Sequence, residues 1–316
     1  KMTVKMAIEK LAIHGGNPVR TKPLPWELPG SHWIGQEEKR LVDEVIAAKS
    51  PFRFYGPRLQ GMVDKLEEEF KQKYGRKYAL GVNSGTAALY VVFAALGLGP
   101  GDEVLLPGYF WVSCVSSLVR LGIIPRLVDI DETFCMSPED LRKKITPHSK
   151  AILLIHMSGA PGKVDEIAHI ANEHNLKLVE DCAQASGASL KGKQVGTFGD
   201  LAIYSFQLNK NMSSGEGGMI ICDDKRLYNR CFALHDLGYA RTNGRLDTSQ
   251  EDYQLWGVGA RMSELSGAMA LAQLRKLDSI TSAMKEAKWK IRNALDDLKG
   301  IVFRRIIDPK GCLLYT

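Results

Sequence analysis

The chain has 316 residues, 45% of them hydrophobic and 25% charged, and 42 basic against 36 acidic residues leave a net charge of +6. This is globular composition, which excludes a disordered, collagenous or low-complexity chain. Basic and acidic residues interleave throughout, which excludes a nucleic-acid stripe or a polybasic membrane patch.

From Lys1 to about Arg58 the chain is an arm punctuated by Pro and Gly, with a helix expected over Gln36 to Ala48. Met62, Leu66 and Phe70 then recur at i, i+4 and i+8, predicting an amphipathic helix near Met62 to Tyr74. A regular alternation follows. Apolar strands are expected at 78–82, 103–106, 126–130, 151–155, 177–180 and 201–205. Helical patterns separate them at 86–97, 111–121, 137–145 and 163–174. Strands joined through helices make crossover connections and hence a mainly parallel sheet covered on both faces. Met219 to Cys222 adds a further strand, antiparallel in expectation. From Ser263 two helical patterns run to Asp278 and from Thr281 to Lys299, with a short strand at 301–304 behind them.

The longest apolar stretch, Ala87 to Leu98, is shorter than the ~18 residues a membrane span needs, and no signal peptide opens the chain. Six cysteines (Cys114, Cys135, Cys182, Cys222, Cys231, Cys312) form neither a CxxC pair nor a Cys/His metal spacing. They read as buried thiols of a reducing cytoplasm, and no metal site is expected.

Ligands of open α/β sheets bind outside the carboxyl ends of the strands. Three of those turns carry unusual chemistry. Asn83-Ser84-Gly85-Thr86 opens a helix, and it either caps that helix or offers N–H groups and a positive dipole end to a phosphate. Glu180-Asp181-Cys182-Ala183-Gln184 puts two acids at the end of an apolar strand, where a carboxylate is costly without a cationic partner. Ser205-Phe206-Gln207-Leu208-Asn209-Lys210 places a lysine in a small polar loop ahead of Gly215-Glu216-Gly217-Gly218, as either a solvated loop lysine or a covalent nucleophile. Two glycine-rich stretches are decoys. Gly187 to Lys193 matches GxxxxGK but has Gln194 where a Mg²⁺-binding hydroxyl belongs, and Gly97 to Gly101 follows a helix as a cap and turn.

Phosphate turn, carboxylate and lysine, in that order, are what a pyridoxal 5′-phosphate (PLP) site requires. The lysine forms the Schiff base with the aldehyde and later moves protons. The carboxylate faces the pyridine nitrogen. At ~4 Å and an effective dielectric of 20 the pair attracts by about 4 kcal/mol, enough to keep the nitrogen protonated at neutral pH.

The run Ser205 to Lys210 with Gly215 to Gly218 resembles the signature of the DegT/StrS family of PLP-dependent sugar and aminocyclitol aminotransferases. Leu11 to Gly16, Asn83 to Leu89, Glu180 to Gln184 and Arg261-Met262-Ser263-Glu264 match in the same order. The resemblance implies PLP fold type I: a large domain around a mainly parallel seven-stranded sheet, then a smaller α+β domain. The expected division is an arm and helix over 1–60, the PLP-binding domain over 61–259, and an incomplete start of the C-terminal domain over 260–316. A homodimer with shared active sites is also implied.

Carried over by residue, the resemblance makes Lys210 the Schiff-base lysine and Asp181 the partner of the ring nitrogen. Gln184 falls near the ring hydroxyl, and Ser84, Gly85, Thr86 and Ser205 at the phosphate. Trp111 either stacks on the ring, as the resemblance implies, or is a core aromatic. The implied activity moves an amino group from glutamate or glutamine to a keto sugar or keto-cyclitol in ping-pong halves, in antibiotic or polysaccharide biosynthesis. Gln184, where many nucleotide-sugar members have His, leans slightly towards the cyclitol or aromatic-precursor members. The alternatives are a non-catalytic PLP-binding regulator or partner subunit, and a dehydrase-like relative, though those replace the lysine by histidine or add an iron–sulfur cluster. One position departs from the pattern: Gly259 stands where the family carries an Asn that reaches the neighbouring subunit's phosphate.

Overall fold

In the computed structural model, Lys10 to Gln250 and Tyr253 to Leu313 are described. The expected arm before Lys10 and the tail after Leu313 lie outside those residues. The strands are β1 (Tyr78–Val82), β2 (Glu103–Pro107), β3 (Ile124–Val128), β4 (Ser149–Ile155), β5 (Lys177–Asp181), β6 (Ser189–Leu190), β7 (Lys193–Gln194), β8 (Leu201–Ser205), β9 (Gly218–Cys222), β10 (Ala240–Thr242) and β11 (Arg245–Asp247). The helices are α1 (Gln36–Ala47), α2 (Met62–Tyr74), α3 (Gly85–Ala95), α4 (Ser113–Arg120), α5 (Pro138–Lys144), α6 (Val164–Glu173), α7 (Lys225–His235) and α8 (Glu264–Leu295).

Seven strands form one sheet in the order β1-β9-β8-β5-β4-β2-β3. Pairings within β8-β5-β4-β2-β3 are parallel, and β9 runs antiparallel between β1 and β8. The expected α/β sheet and its antiparallel strand are both present.

Strand parity divides the core. Val179 of β5, Leu201 and Ile203 of β8 and Leu80 and Val82 of β1 pack with α3, α4 and α7 on one face. On the other face, Leu178 and Leu154 pack with α5 and α6, while Ala202, Tyr204 and Ala79 pack with α2 and the first half of α8. Successive side chains of a strand point to opposite faces, so odd positions of β5 and β8 share the α3–α4 face.

Three expectations need correction. The third strand is Ile124–Val128, two residues earlier than expected, because Ile124 to Val128 is the stretch that registers with β2. The two C-terminal helical patterns are one helix, α8, of 32 residues. Nothing between Asp278 and Thr281 breaks it, and Leu277, Ile280 and Thr281 are all buried, so the apolar stripe continues across the expected gap. Residues 301–304 form no strand: Ile301 and Val302 are exposed and find no ladder partner among the described residues.

The GxxxxGK stretch turns through the short hairpin β6–β7 and opens no helix, as its residue pattern predicts. All six cysteines are free and buried. Among the described residues no helix is long and apolar enough to cross a membrane.

Candidate active site

Asp181 is the last residue of β5 and is 5% exposed. Its Oδ1 accepts the Ala183 N–H at 2.9 Å and its Oδ2 accepts the Cys114 thiol at 3.4 Å. Burial pushes its carboxyl above the ordinary range, and Ala183, Cys114 and the charge of Lys210 offset this only in part. Cys114 itself stays a thiol, because burial and the neighbouring Asp181 raise it well above its ordinary value. Lys210 is shifted the opposite way: burial lowers its ammonium, with Asp181 opposing. The two groups therefore share one poorly solvated neighbourhood, each displaced towards its neutral form.

Lys210 sits in a loop closed at its neck. Phe206 N–H donates to Gly217 O at 2.9 Å, and Ser214 N–H to Phe206 O at 2.9 Å. Asn211, fully buried, donates to Ser186 O at 2.6 Å, and Gly30 of the arm donates its N–H to Lys210 O at 3.0 Å. The loop is thus pinned from three directions.

The phosphate turn resolves into distinct parts. Ser84 is the N-cap of α3, its Oγ accepting the Ala87 N–H at 3.0 Å. The cap reading of its hydroxyl is therefore realised, while Gly85 and Thr86 keep first-turn N–H groups that have no intrahelical acceptor. A Cβ at Gly85 would stand 2.7 Å from the Ser205 Cβ, and one at Gly218 would stand 2.8 Å from the Ser84 carbonyl carbon. Both glycines are needed for the close approach of α3 to the ends of β8 and β9.

Trp111 is 69% exposed in the loop before α4, which rules out a core role. Its carbonyl accepts the Cys114 N–H at 2.9 Å, so the turn that carries the indole also carries the thiol to Asp181. Gln184 accepts the Ser158 N–H on Oε1 at 2.7 Å.

Contacts that the sequence did not indicate centre on Glu180. Its Oε1 accepts the N–H groups of Phe198 and Gly199 and its Oε2 that of Gly196, each at 2.7 Å, and His156 Nε2 lies 2.9 Å from Oε2. Burial alone would raise this carboxyl, but His156 and the N–H groups outweigh it and hold it below the ordinary value. His156, Glu180 and Cys182 bring possible metal-ligand atoms within 4.8 Å of one another. The Glu180 oxygens are already committed to these four contacts, so the cluster reads as a structural anchor. Only the hydrogen-bonding appetite of a buried acid hinted at it.

PLP is the group that such residues would hold, and the fit can be judged on them alone. A buried carboxylate lacks full charge compensation, a lysine shares its neighbourhood, an indole presents an open face, and a glycine cradle at a helix start faces a serine. These features fit the ring nitrogen, the aldehyde, the ring face and the phosphate respectively.

Fold and site together define a fold type I, PLP-dependent class of protein. A model of the DegT/DnrJ/EryC1/StrS aminotransferase family matches residues 33–310, and the chain belongs to that family. It is 39% identical over 225 residues to the GDP-perosamine synthase of Escherichia coli O157:H7, covering 71% of this chain and 60% of that protein. It is 34% identical over 298 residues to the L-glutamine:2-deoxy-scyllo-inosose aminotransferase of Streptoalloteichus tenebrarius, covering 92% and 69%. The crystal structure of the aminotransferase TlmJ from Streptoalloteichus hindustanus superposes with a TM-score of 0.81 at 27% identity, covering 89% of this chain and 75% of that one. The chain therefore spans about three-fifths to three-quarters of these relatives.

Proposed function

We propose that this chain is the PLP-binding part of an aminotransferase that moves an amino group from glutamate or glutamine to a keto sugar or keto-cyclitol. The observation that carries the reading is the Asp181–Lys210 neighbourhood, in which a buried acid and a buried amine each lean towards neutrality. Family membership and the names of the relatives support the reaction class.

In this reading Lys210 holds the cofactor covalently through Nζ. Asp181 accepts a hydrogen bond from the ring nitrogen. Its carboxylate keeps the right orientation because Ala183 and Cys114 occupy other lone pairs. The first-turn N–H groups of Gly85 and Thr86, with the Thr86 and Ser205 hydroxyls, bind the phosphate. Trp111 covers one ring face. Gln184 turns Nε2 towards the ring hydroxyl, since its Oε1 is taken by Ser158. When bound, PLP supplies the electron sink that makes the amino acid's Cα–H acidic. Once the substrate's amine has displaced it from the cofactor, Lys210 Nζ would be the base that takes the Cα proton and delivers it to the cofactor's C4′, and burial favours this by lowering its pKa from the ordinary value.

The working assembly is proposed to be a homodimer, located in the cytoplasm. A recess of about 290 Å³ beside the phosphate turn, lined by Ser84, Thr86, Arg120 and Val258 among others, supports a contribution from a second copy. Exposed Val112 and Trp256 supply apolar surface of the kind a subunit contact covers. Borohydride reduction followed by peptide mapping tests the central assignment. The pyridoxyl group is expected on Lys210, and label on another lysine overturns the reading.

A further inference from the structure

The buried face of α4 carries Cys114 and, three residues on, Ser117, which are 1% and 2% exposed. Each meets a different part of the cofactor site. Ser117 Oγ donates to Ser113 O at 2.8 Å and lies 3.4 Å from Thr86 O, which sets α4 against the first turn of α3. Cys114 N–H donates to Trp111 O at 2.9 Å, and the Cys114 thiol donates to Asp181 Oδ2 at 3.4 Å. The surroundings of the thiol are otherwise apolar, since it shares a buried cluster with Leu118, Ile155, Val179 and Ile203. Among the described residues, Asp181 Oδ2 is the acceptor its hydrogen meets.

The two donors on Asp181 are unequal. Oδ1 takes the Ala183 peptide N–H at 2.9 Å, whereas Oδ2 takes a thiol, a weak donor. A hydroxyl in that place would stabilise the ionised carboxylate more strongly, and burial already disfavours its charge. Other titratable groups approach from several elements. Lys210 comes from the loop after β8, and His156, which follows β4, pairs with Glu180. Glu180 and Cys182 flank Asp181 along its own chain, Glu180 on the opposite face of the sheet. Cys114 is the side chain of α4 that reaches the carboxylate, and it keeps its hydrogen because burial and Asp181 hold the thiol well above its ordinary value.

We propose that Cys114 is a positioning residue that acts through Asp181 and sets how much positive charge the cofactor ring carries. This rests on the PLP reading of Lys210 and Asp181 above. A strong donor on Oδ2 would draw charge from the carboxylate and leave the shared proton wholly on the ring nitrogen. With no donor, the buried carboxylate would draw that proton to itself, and the ring would lose its charge. The thiol stands between these limits. Positive charge on the ring opposes a second positive charge on the nitrogen that Lys210 shares with the cofactor. The pH at which that nitrogen gives up its proton therefore reports the ring charge, and the visible absorbance of the bound cofactor follows it.

The test uses the full chain loaded with PLP, and its readout is the pH midpoint of that absorbance change. Cys114→Ala and Cys114→Val both remove the donor, and valine also refills the space. In each, the ring should lose positive charge, and the midpoint should rise by about half a pH unit or more, roughly threefold in proton affinity. Cys114→Ser supplies a stronger donor and should hold the midpoint at or below that of the unaltered protein. A role confined to packing gives a different pattern, with valine near the unaltered midpoint and serine moving with alanine. That pattern overturns the proposal, as do alanine and valine midpoints equal to the unaltered one. Both leave the aminotransferase reading standing where borohydride places the pyridoxyl group on Lys210. Unaltered protein that takes up no PLP, or carries it on another lysine, overturns that reading and this proposal with it.

Discussion

Replacing Glu180 by Gln would test how far the site depends on an acid that never touches the cofactor. The carboxylate is fully buried, with two N–H donors on Oε1 and one N–H plus the His156 ring on Oε2. Glutamine keeps one oxygen, which can retain Phe198 and Gly199. Its NH₂ group then faces Gly196 N–H, two donors opposed at a fully buried position. Leaving that N–H unpaired costs about 1–3 kcal/mol, and loss of charge assistance on the other bonds adds about 1 kcal/mol or more. The total, about 2–4 kcal/mol, overlaps the ~3–5 kcal/mol expected when one member of a buried charged pair is removed. Peptide-level hydrogen exchange over residues 195–200 reads it locally. Protection there should fall by roughly one and a half to three orders of magnitude, since ~1.4 kcal/mol is tenfold. A loss of less than tenfold would refute the reasoning. The pH dependence has a definite sign. Because the folded-state pKa of Glu180 lies below the ordinary 4.5, its stabilisation is complete above that value and is lost as pH falls through the lowered one.

Three further outcomes follow from the same geometry. Gly85→Ala would push a methyl to 2.7 Å from the Ser205 Cβ, so PLP affinity should drop at least tenfold while the fold is kept; an unchanged Kd would refute the close approach. Gly259 has φ +64°, and a Cβ there meets nothing nearer than the Arg261 guanidinium at 3.8 Å. Since Asn tolerates the left-handed region, Gly259→Asn should leave Tm unchanged and PLP affinity equal or tighter, whereas Gly259→Val should lose at least about 1 kcal/mol in urea titration. Asp181→Asn should retain some PLP but lose most turnover, and near-normal kcat would rule out its role at the ring nitrogen.

Much of this was written in local pattern. The apolar runs specified the strands, and the lysine loop announced itself as a small polar stretch after an apolar strand, followed by glycines. Less legible were contacts between distant parts of the chain. Gly30 donates to Lys210 O from a segment far upstream in the chain, and Cys114 reaches Asp181 from the turn that carries Trp111. No residue pattern near Gly30 or Cys114 encodes that. The strand expected at 301–304 failed for a related reason. A β-rich tetrapeptide becomes a strand only when another edge is within reach, and the backbone bond nearest to this segment that joins it to a distant part of the chain runs from Arg305 N–H, just beyond it, to Glu132 O, which is no strand.

The alternation of side chains along a strand explains why two adjacent acids have different roles. Asp181 follows Val179 by two residues and so lies on the α3–α4 face, where Cys114, Ser205 at the end of the adjacent strand β8, and the start of α3 also lie. Glu180 follows Leu178 and lies on the opposite face, beyond reach of that cluster, where it gathers the N–H groups of 196–199 and the His156 ring. Asp181 and Ile203 are register partners, so Ser205 ends its strand two positions further on with the same parity as the acid. A one-residue slip of β8 would therefore send Ser205 to the α2–α8 face and separate it from both Gly85 and Asp181. The register is held by Tyr204, fully buried on that far face with its hydroxyl donating to Val195 O at 2.9 Å. What fixes the distance between acid and phosphate turn is thus a tyrosine on the side of the sheet away from the chemistry.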